Sequence, residues 1–201
     1  MRLLCDIGNT RVHFFDGRRV WHVAHDELER YRDAAVDYIC VSPKAKKVVE
    51  RFERWRDLEP CLELETGYEG LGADRKALCM AIDDGVVVDA GSAVTVDVVR
   101  GGRHQGGFIY PGLAAMRRAY ASISGVLDHP IQKPPSRLPQ KTAEAISYGA
   151  LRPLALAISE LGGPVVVTGG DGELLASLIP GARYDEALIF KGLQRIKDRR
   201  C

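Results

Sequence analysis

The sequence predicts an α/β protein made of two halves that meet near residue 85 without a flexible linker. Three observations carry that prediction. Apolar strand-like runs alternate with amphipathic helical segments along the whole chain; LLCDIGNT near the N-terminus returns as VVVDAGSA in mid-chain; and each copy leads into a second strand-like run, Val12 to Phe15 and Val94 to Val99. Between the copies Asp6 answers to Asp89, Gly8 to Gly91 and Asn9 to Ser92. The expected halves are residues 1–85 and 86–201.

Each element has a local reason. RVHFFDGRRVWHVA reads as a hairpin, because Asp16-Gly17 supplies the positive φ values that a type I′ turn needs. DELERYRDAAV follows as a polar helix and DYICVS as a buried strand. Ser42 and Pro43 open the next helix as N-cap and first helical residue, and Val48, Val49, Phe52 and Trp55 share one helical face. CLELE is the next strand, after which the glycine-bearing GYEGLGADR runs into the helix ADRKALCMAI. The second half supplies strands VVVDAG, AVTVDVV and HQGGFIY, then a helix from Pro111 to about Ser122. Four prolines in LDHPIQKPPSRLP forbid a continuous helix, so 128–139 is expected to be an ordered loop or lid. KTAEAISYGALRPLALAISEL is helical with a bend expected near Pro153, PVVVTGGDGELLASLI is strand, glycine turn and helix, and ALIFKGLQRIKD closes the chain as an amphipathic helix.

Composition narrows the function. At 201 residues and 46% hydrophobic, the chain can bury one substantial core or two small ones. Its 28 Lys and Arg nearly balance 27 Asp and Glu, so neither nucleic acid nor an anionic membrane is the expected partner. A small molecule or another protein suits it better. Cys5, Cys40, Cys61, Cys79 and Cys201 are scattered without a C-x-x-C pair, an odd count that suits a reducing cytoplasm and buried thiols. No run approaches the roughly 20 apolar residues of a membrane span, and the acid at Asp6 argues against a signal peptide.

The repeated turn has a chemical reading. Glycine at a strand–turn–strand lets backbone N–H groups approach an anion, while the neighbouring aspartate can hold a hydrated Mg²⁺ that bridges phosphate oxygens. A lone D-x-G-N-T is usually an ordinary turn. Two copies in matching strand contexts, with a third glycine turn at Thr168-Gly169-Gly170-Asp171, favour a grip on a polyphosphate. Asp74 in GADR could orient an acceptor hydroxyl and take its proton, with Arg75 clamping a carboxylate; the plain alternative is a helix cap beside a solvated arginine. His22 and His25 read as surface histidines, Lys44, Lys46 and Lys47 as a solvated helix start, and Cys79 and Met80 as core.

Five motifs in order, D-x-G-N-T at Asp6–Thr10, G-A-D-R at Gly72–Arg75, D-A-G-S at Asp89–Ser92, G-G-x-I-x-P-G at Gly106–Gly112 and T-G-G-D at Thr168–Asp171, together resemble type III pantothenate kinase. That family belongs to the superfamily of acetate and sugar kinases, heat-shock-protein-70 and actin. The resemblance runs to the final FKGLQRI and so spans essentially the whole chain. It implies two ribonuclease-H-like halves of the actin-like ATPase kind, with ATP in an interdomain cleft. It also implies ATP-dependent phosphorylation of pantothenate to phosphopantothenate, the first step of coenzyme A synthesis, by a homodimer that uses Mg²⁺ and a monovalent cation, K⁺ or NH₄⁺.

Carried over by position, the resemblance lays Asp6, Ile7, Gly8, Asn9, Thr10, Arg11, Val12 and His13 along the phosphates, with Asp6 near Mg²⁺. Gly91 and Ser92 touch ATP, Ser92 standing where the family usually has Thr, and Gly169 and Gly170 lie on the adenosine side. Asp89 matches the monovalent-cation ligand. Tyr68, Gly72, Ala73, Asp74 and Arg75 match the pantothenate segment, Asp74 being the proton acceptor, and Thr142 matches a threonine that reaches pantothenate from the adjacent subunit. The chain is short for the family, trimmed mostly before Tyr68 and between Asp74 and Asp89. The rival reading is a nucleotide-binding regulatory protein of the accessory-factor kind, which would keep the two phosphate turns without needing Tyr68, Asp74 or Thr142.

Overall fold

The computed structural model describes residues 2–197. Its contacts separate two compact units: the first holds the chain to Asp83, Arg100–Gln105 and the segment from Glu186 on, and the second holds Asp84–Val99 and Gly106–Asp185. The C-terminal helix therefore belongs with the first unit, not with the half it follows in sequence.

In the first unit, β1 (Leu3–Ile7), β2 (Val12–Phe15), β3 (Val20–Val23), β4 (Val36–Cys40) and β5 (Trp55–Asp57) form a sheet in the order β3-β2-β1-β4-β5. The first three strands are antiparallel neighbours, whereas β4 runs parallel to β1 and β5 parallel to β4. Alternation on β2 buries Val12 and Phe14 against the core and leaves His13 and Phe15 half-buried. Phe14 stacks on Tyr31 at 4.3 Å and on Trp21 at 5.5 Å between ring centroids. Helices α1 (Pro43–Val49) and α2 (Ala73–Cys79) flank this sheet in sequence, and α6 (Leu188–Lys197) packs on α2. β4 is buried throughout. Its one acid, Asp37, is tolerated there because Arg2 Nε at 2.7 Å and Arg56 Nε at 3.0 Å both donate to Oδ1.

Several sequence expectations change here. The hairpin forms, but over a four-residue loop, Asp16–Arg19, in which the Asp16 carboxylate accepts from the N–H groups of Arg18 and Arg19. The polar helix is a 3₁₀ segment, His25–Tyr31. The helix opened by Ser42 and Pro43 stops at Val49, and Trp55 instead begins β5. Val49, Phe52 and Trp55 still enter one apolar cluster, so the helical spacing marked a shared core rather than a continuous helix. CLELE is not a strand: Glu59–Cys61 is a 3₁₀ turn, and residues 62–65 carry no regular structure. Cys5, Cys40 and Cys79 are buried and outside any disulfide, as expected, whereas Cys61 is half-buried and disulfide-bonded, against the expectation of reduced thiols throughout; Cys201 lies outside the described residues.

In the second unit, β6 (Gly85–Ala90), β7 (Ala93–Arg100), β8 (Arg103–Pro111), β9 (Val165–Thr168) and β10 (Arg183–Tyr184) are ordered β10-β9-β6-β7-β8. β7 is antiparallel to β6, while β9 and β10 extend the sheet in parallel on the other side. Strand for strand this reproduces the first sheet. The two sheets are copies of one ribonuclease-H-like plan, and the repeated sequence occupies the same place in each. Helices α3 (Leu113–Ile123), α4 (Thr142–Glu160) and α5 (Gly172–Ala176) complete the unit. Leu154 and Ile158 from α4 pack with Val86, Val88 and Val167 of the sheet. α3 starts two residues later than expected because Pro111 still belongs to β8 and Gly112 is the N-cap. α4 continues through Pro153. The proline-rich stretch has no helix or strand, and Gln132 N–H donates to Ser147 Oγ of α4 at 3.1 Å.

Candidate active site

In the first unit, Asp6 sits near the C-terminal end of β1, half-buried between His13 of β2 and Ile39 of β4. The chain then turns over Gly8–Arg11, closed by Gly8 N–H donating to Arg11 O at 3.0 Å. A Cβ on Gly8 would press on that carbonyl at 3.2 Å, which accounts for glycine at this point. Asn9, Thr10 and Arg11 are exposed at the tip. His13 is held neutral, its pKa lowered to about 4 by burial and then by the nearby His22 and Arg11.

The same unit carries the GADR segment. Gly72 is the N-cap of α2 in an extended conformation, and a Cβ there would lie 2.6 Å from Asp74 Oδ1. Asp74 Oδ1 accepts from Arg75 N–H at 2.8 Å. Among the described residues that is the only hydrogen bond of this half-buried carboxylate, and it fixes Oδ1. Arg75 is buried, and its guanidinium carbon lies 4.7 Å from the centroid of the Tyr68 ring. A cation over a tyrosine face at this distance contributes about 0.5–2 kcal/mol. Tyr68, Gly72, Ala73, Asp74 and Arg75 are brought together as one cluster.

In the second unit, Asp89 occupies the equivalent strand position, half-buried between Thr95 of β7 and Thr168 of β9. Gly91 N–H donates to Ala93 O at 3.0 Å and leaves Ser92 exposed. Two distant motifs converge on this turn. Gly112 lies so close that a Cβ would be 2.5 Å from the Gly91 carbonyl oxygen, and Gly169, at φ 89°, would place a Cβ 2.5 Å from Asp89 Oδ1 and 2.6 Å from the Ala90 backbone. Asp171 N–H donates to Ala90 O at 3.0 Å and ties the TGGD turn to β6. Gly170 is different: it is exposed with open space where a Cβ would go. Thr142 is exposed on the first turn of α4, separate in sequence and element from these turns.

The family model for type III pantothenate kinase matches residues 16–162. A type III pantothenate kinase of Helicobacter hepaticus is 43% identical over 98% of both chains. The chain belongs to the type III pantothenate kinase family. It is accordingly a kinase that phosphorylates pantothenate, with ATP as phosphoryl donor, in coenzyme A biosynthesis. A Campylobacter jejuni structure described as a Baf family transcriptional activator is 39% identical over 98% of each chain, with a TM-score of 0.90. A ROK family glucokinase of Streptomyces griseus, at 12% identity and a TM-score of 0.52 over 98% of each chain, shares the fold alone.

In this pantothenate kinase the structure also places residues that sequence reasoning passed over. His25, expected as a surface histidine, donates from Nε2 to the Gly8 carbonyl at 2.9 Å and braces the first turn. His22 is exposed as expected and lies 3.4 Å from Glu186. Thr66 and His104 hydrogen-bond at 2.7 Å behind Tyr68. None carries a local signal, since each partner is a backbone or side-chain atom brought from elsewhere in the chain.

Proposed function

We propose that Asp74 is the proton acceptor in transfer of the terminal phosphoryl group of ATP to the primary hydroxyl of pantothenate. As the hydroxyl oxygen attacks phosphorus, the bond to the bridging oxygen breaks, ADP leaves, and the hydroxyl proton passes to Asp74 Oδ2. The observation that carries this reading is the Asp74 carboxylate held in one orientation by Arg75 N–H at 2.8 Å beside the Tyr68–Arg75 stack. Arg75 would pair with the pantothenate carboxylate, Tyr68 would cover its apolar body, and Gly72 and Ala73 would present backbone to it.

ATP would be held by Asp6 to His13, by Gly91 and Ser92, and on its adenosine side by Gly169 and Gly170. Asp6 offers the hard carboxylate oxygen that suits Mg²⁺. Asp89 would offer K⁺ or NH₄⁺ a carboxylate oxygen at a half-buried strand end, where a cation offsets the cost of burying the charge. Such cations supply charge that offsets the phosphates; holding and orienting the acceptor falls to the chain's own residues. Thr142, exposed at the start of α4, would reach the pantothenate of a second copy in a homodimer. Near-balanced charge suits an enzyme without nucleic-acid or membrane partners; among the described residues no helix is long and apolar enough to cross a membrane.

The test is to incubate the protein with ATP, Mg²⁺, K⁺ and pantothenate and to look for phosphopantothenate by mass. Product in the complete mixture and its loss in Asp74→Asn is the expected result; full product from Asp74→Asn would remove Asp74 from the chemistry. A nucleotide-binding regulator would need the two turns but not the ordered acceptor cluster, and that cluster argues against it.

A further inference from the structure

Tyr68 sits in a loop that has little to hold it. The loop is anchored by buried Leu62 and Leu71, but Gly67, Tyr68, Glu69 and Gly70 between them are exposed, and Gly70 has φ 71°. Two glycines and no helix or strand give such a segment a large conformational entropy to lose. An aromatic ring there would sample many positions unless something pins it.

The pin is His104, at the start of β8. Its imidazole is 5% exposed, and Nδ1 hydrogen-bonds Thr66 Oγ1 at 2.7 Å. The same Thr66 oxygen accepts from the Tyr68 backbone N–H at 3.0 Å. His104 N–H also donates to Glu65 O at 3.0 Å, so ring and backbone of one residue grip two successive residues of the loop. The ring centroids of His104 and Tyr68 are 5.9 Å apart, and the far side of this array is the Arg75 guanidinium on the Tyr68 ring. A continuous series of contacts thus runs from His104 through Thr66 and Tyr68 to Arg75.

We propose that His104 is a positioning residue for the acceptor: through Thr66 it sets the Tyr68 backbone and ring, and through that ring the direction of Arg75. The proposal rests on the reading above that Tyr68 and Arg75 hold pantothenate. A device of this kind works on the ordering of the pocket before binding, so its loss raises the concentration of pantothenate needed without slowing the bound complex.

The experiment compares the full-length parent with His104→Ala, His104→Asn and Thr66→Val, measuring kcat, KM for each substrate, melting temperature, and pantothenate binding by calorimetry with a non-hydrolysable ATP analogue present. His104→Ala and Thr66→Val are expected to raise KM and Kd for pantothenate by roughly five- to fifty-fold, the range of one lost buried hydrogen bond. Both should leave kcat within about threefold and KM for ATP within about twofold. His104→Asn, whose amide can still reach Thr66, should recover most of the loss. If His104→Ala does not fold, Thr66→Val, nearly the same shape without the hydroxyl, decides the matter alone. Pantothenate KM and Kd unchanged in the folded variants would overturn the proposal, as would equal losses for both substrates. A parent that binds pantothenate without phosphorylating it would sink the catalytic reading and leave the binding arm to judge His104. A parent that does neither would overturn both.

Discussion

At the scale of single residues, the sharpest test falls on Asp74. This aspartate is the second residue of α2, whose N-cap is Gly72, and its hydrogen bond with Arg75 N–H lies within the first turn, so a structural and a catalytic role must be told apart by rate rather than by geometry. Asp74→Asn keeps the shape and removes the base; kcat should drop by roughly 10²–10⁴-fold while ATP affinity changes by less than about threefold. Single-turnover rates with a parallel ATP titration check both. His13 makes a second residue-level prediction. Its folded pKa of about 4 lies below the ordinary 6.5, so the unfolded chain takes up the proton first. The stability tied to neutral His13 is complete above pH 6.5 and is lost as pH falls from about 6.5 toward 4. Urea midpoints at pH 7 and pH 4.5 should converge in His13→Gln relative to the parent; an unchanged difference would place the acid sensitivity elsewhere.

At the scale of elements, glycine decides how strand ends meet. Gly169 combines a positive φ with contact on Asp89 and Ala90, so Gly169→Ala should distort the end of β6 and lower the melting temperature along with activity. Gly170→Ala meets nothing within 4 Å and should leave the melting temperature near the parent value. A loss of ATP affinity in that stable variant would mark Gly170 as a place where ligand approaches backbone. The helix pair α2 and α6 gives a comparable case in the first unit. Gly192 faces the Ala77 carbonyl so closely that a Cβ would overlap it, and Gly192→Ala should therefore cost at least about 1–3 kcal/mol through forced separation of the helices. Chemical denaturation measures it directly, and a neutral result would mean that α6 shifts without penalty.

At the scale of the molecule, assembly becomes the question. Thr142 is exposed on α4, and exposed Ile109, Ile123, Val126, Leu138 and Leu156 lie in the same unit. Their exposure is 51–74%, and a second copy that covered any of them would remove that apolar surface from water. If Thr142 serves a neighbour's acceptor site, activity per chain should fall on dilution below the dimer dissociation constant, and Thr142→Val should raise pantothenate KM several-fold without changing the sedimentation coefficient. A fully active monomer at assay concentration would end that reading.

The α/β class, the repeated strand and turn, and the strand-end positions of Asp6 and Asp89 are legible in the sequence. These are local patterns: period-2 burial, glycine where a turn tightens, an aspartate at a strand end. The spacing of Val48, Val49, Phe52 and Trp55 reads as one helical face; these residues do share a core, but the chain leaves the helix after Val49, because β5 forms only when Val36 offers an edge to pair with. Only the tertiary structure decided the contacts that cross long stretches of chain. Gly112 and Gly169 close on the Asp89 turn from different elements, α6 joins the first unit, His25 braces Gly8, and His104 reaches Thr66. Such contacts leave no periodicity along the chain, since each depends on where two separately folded segments are carried by the sheet between them.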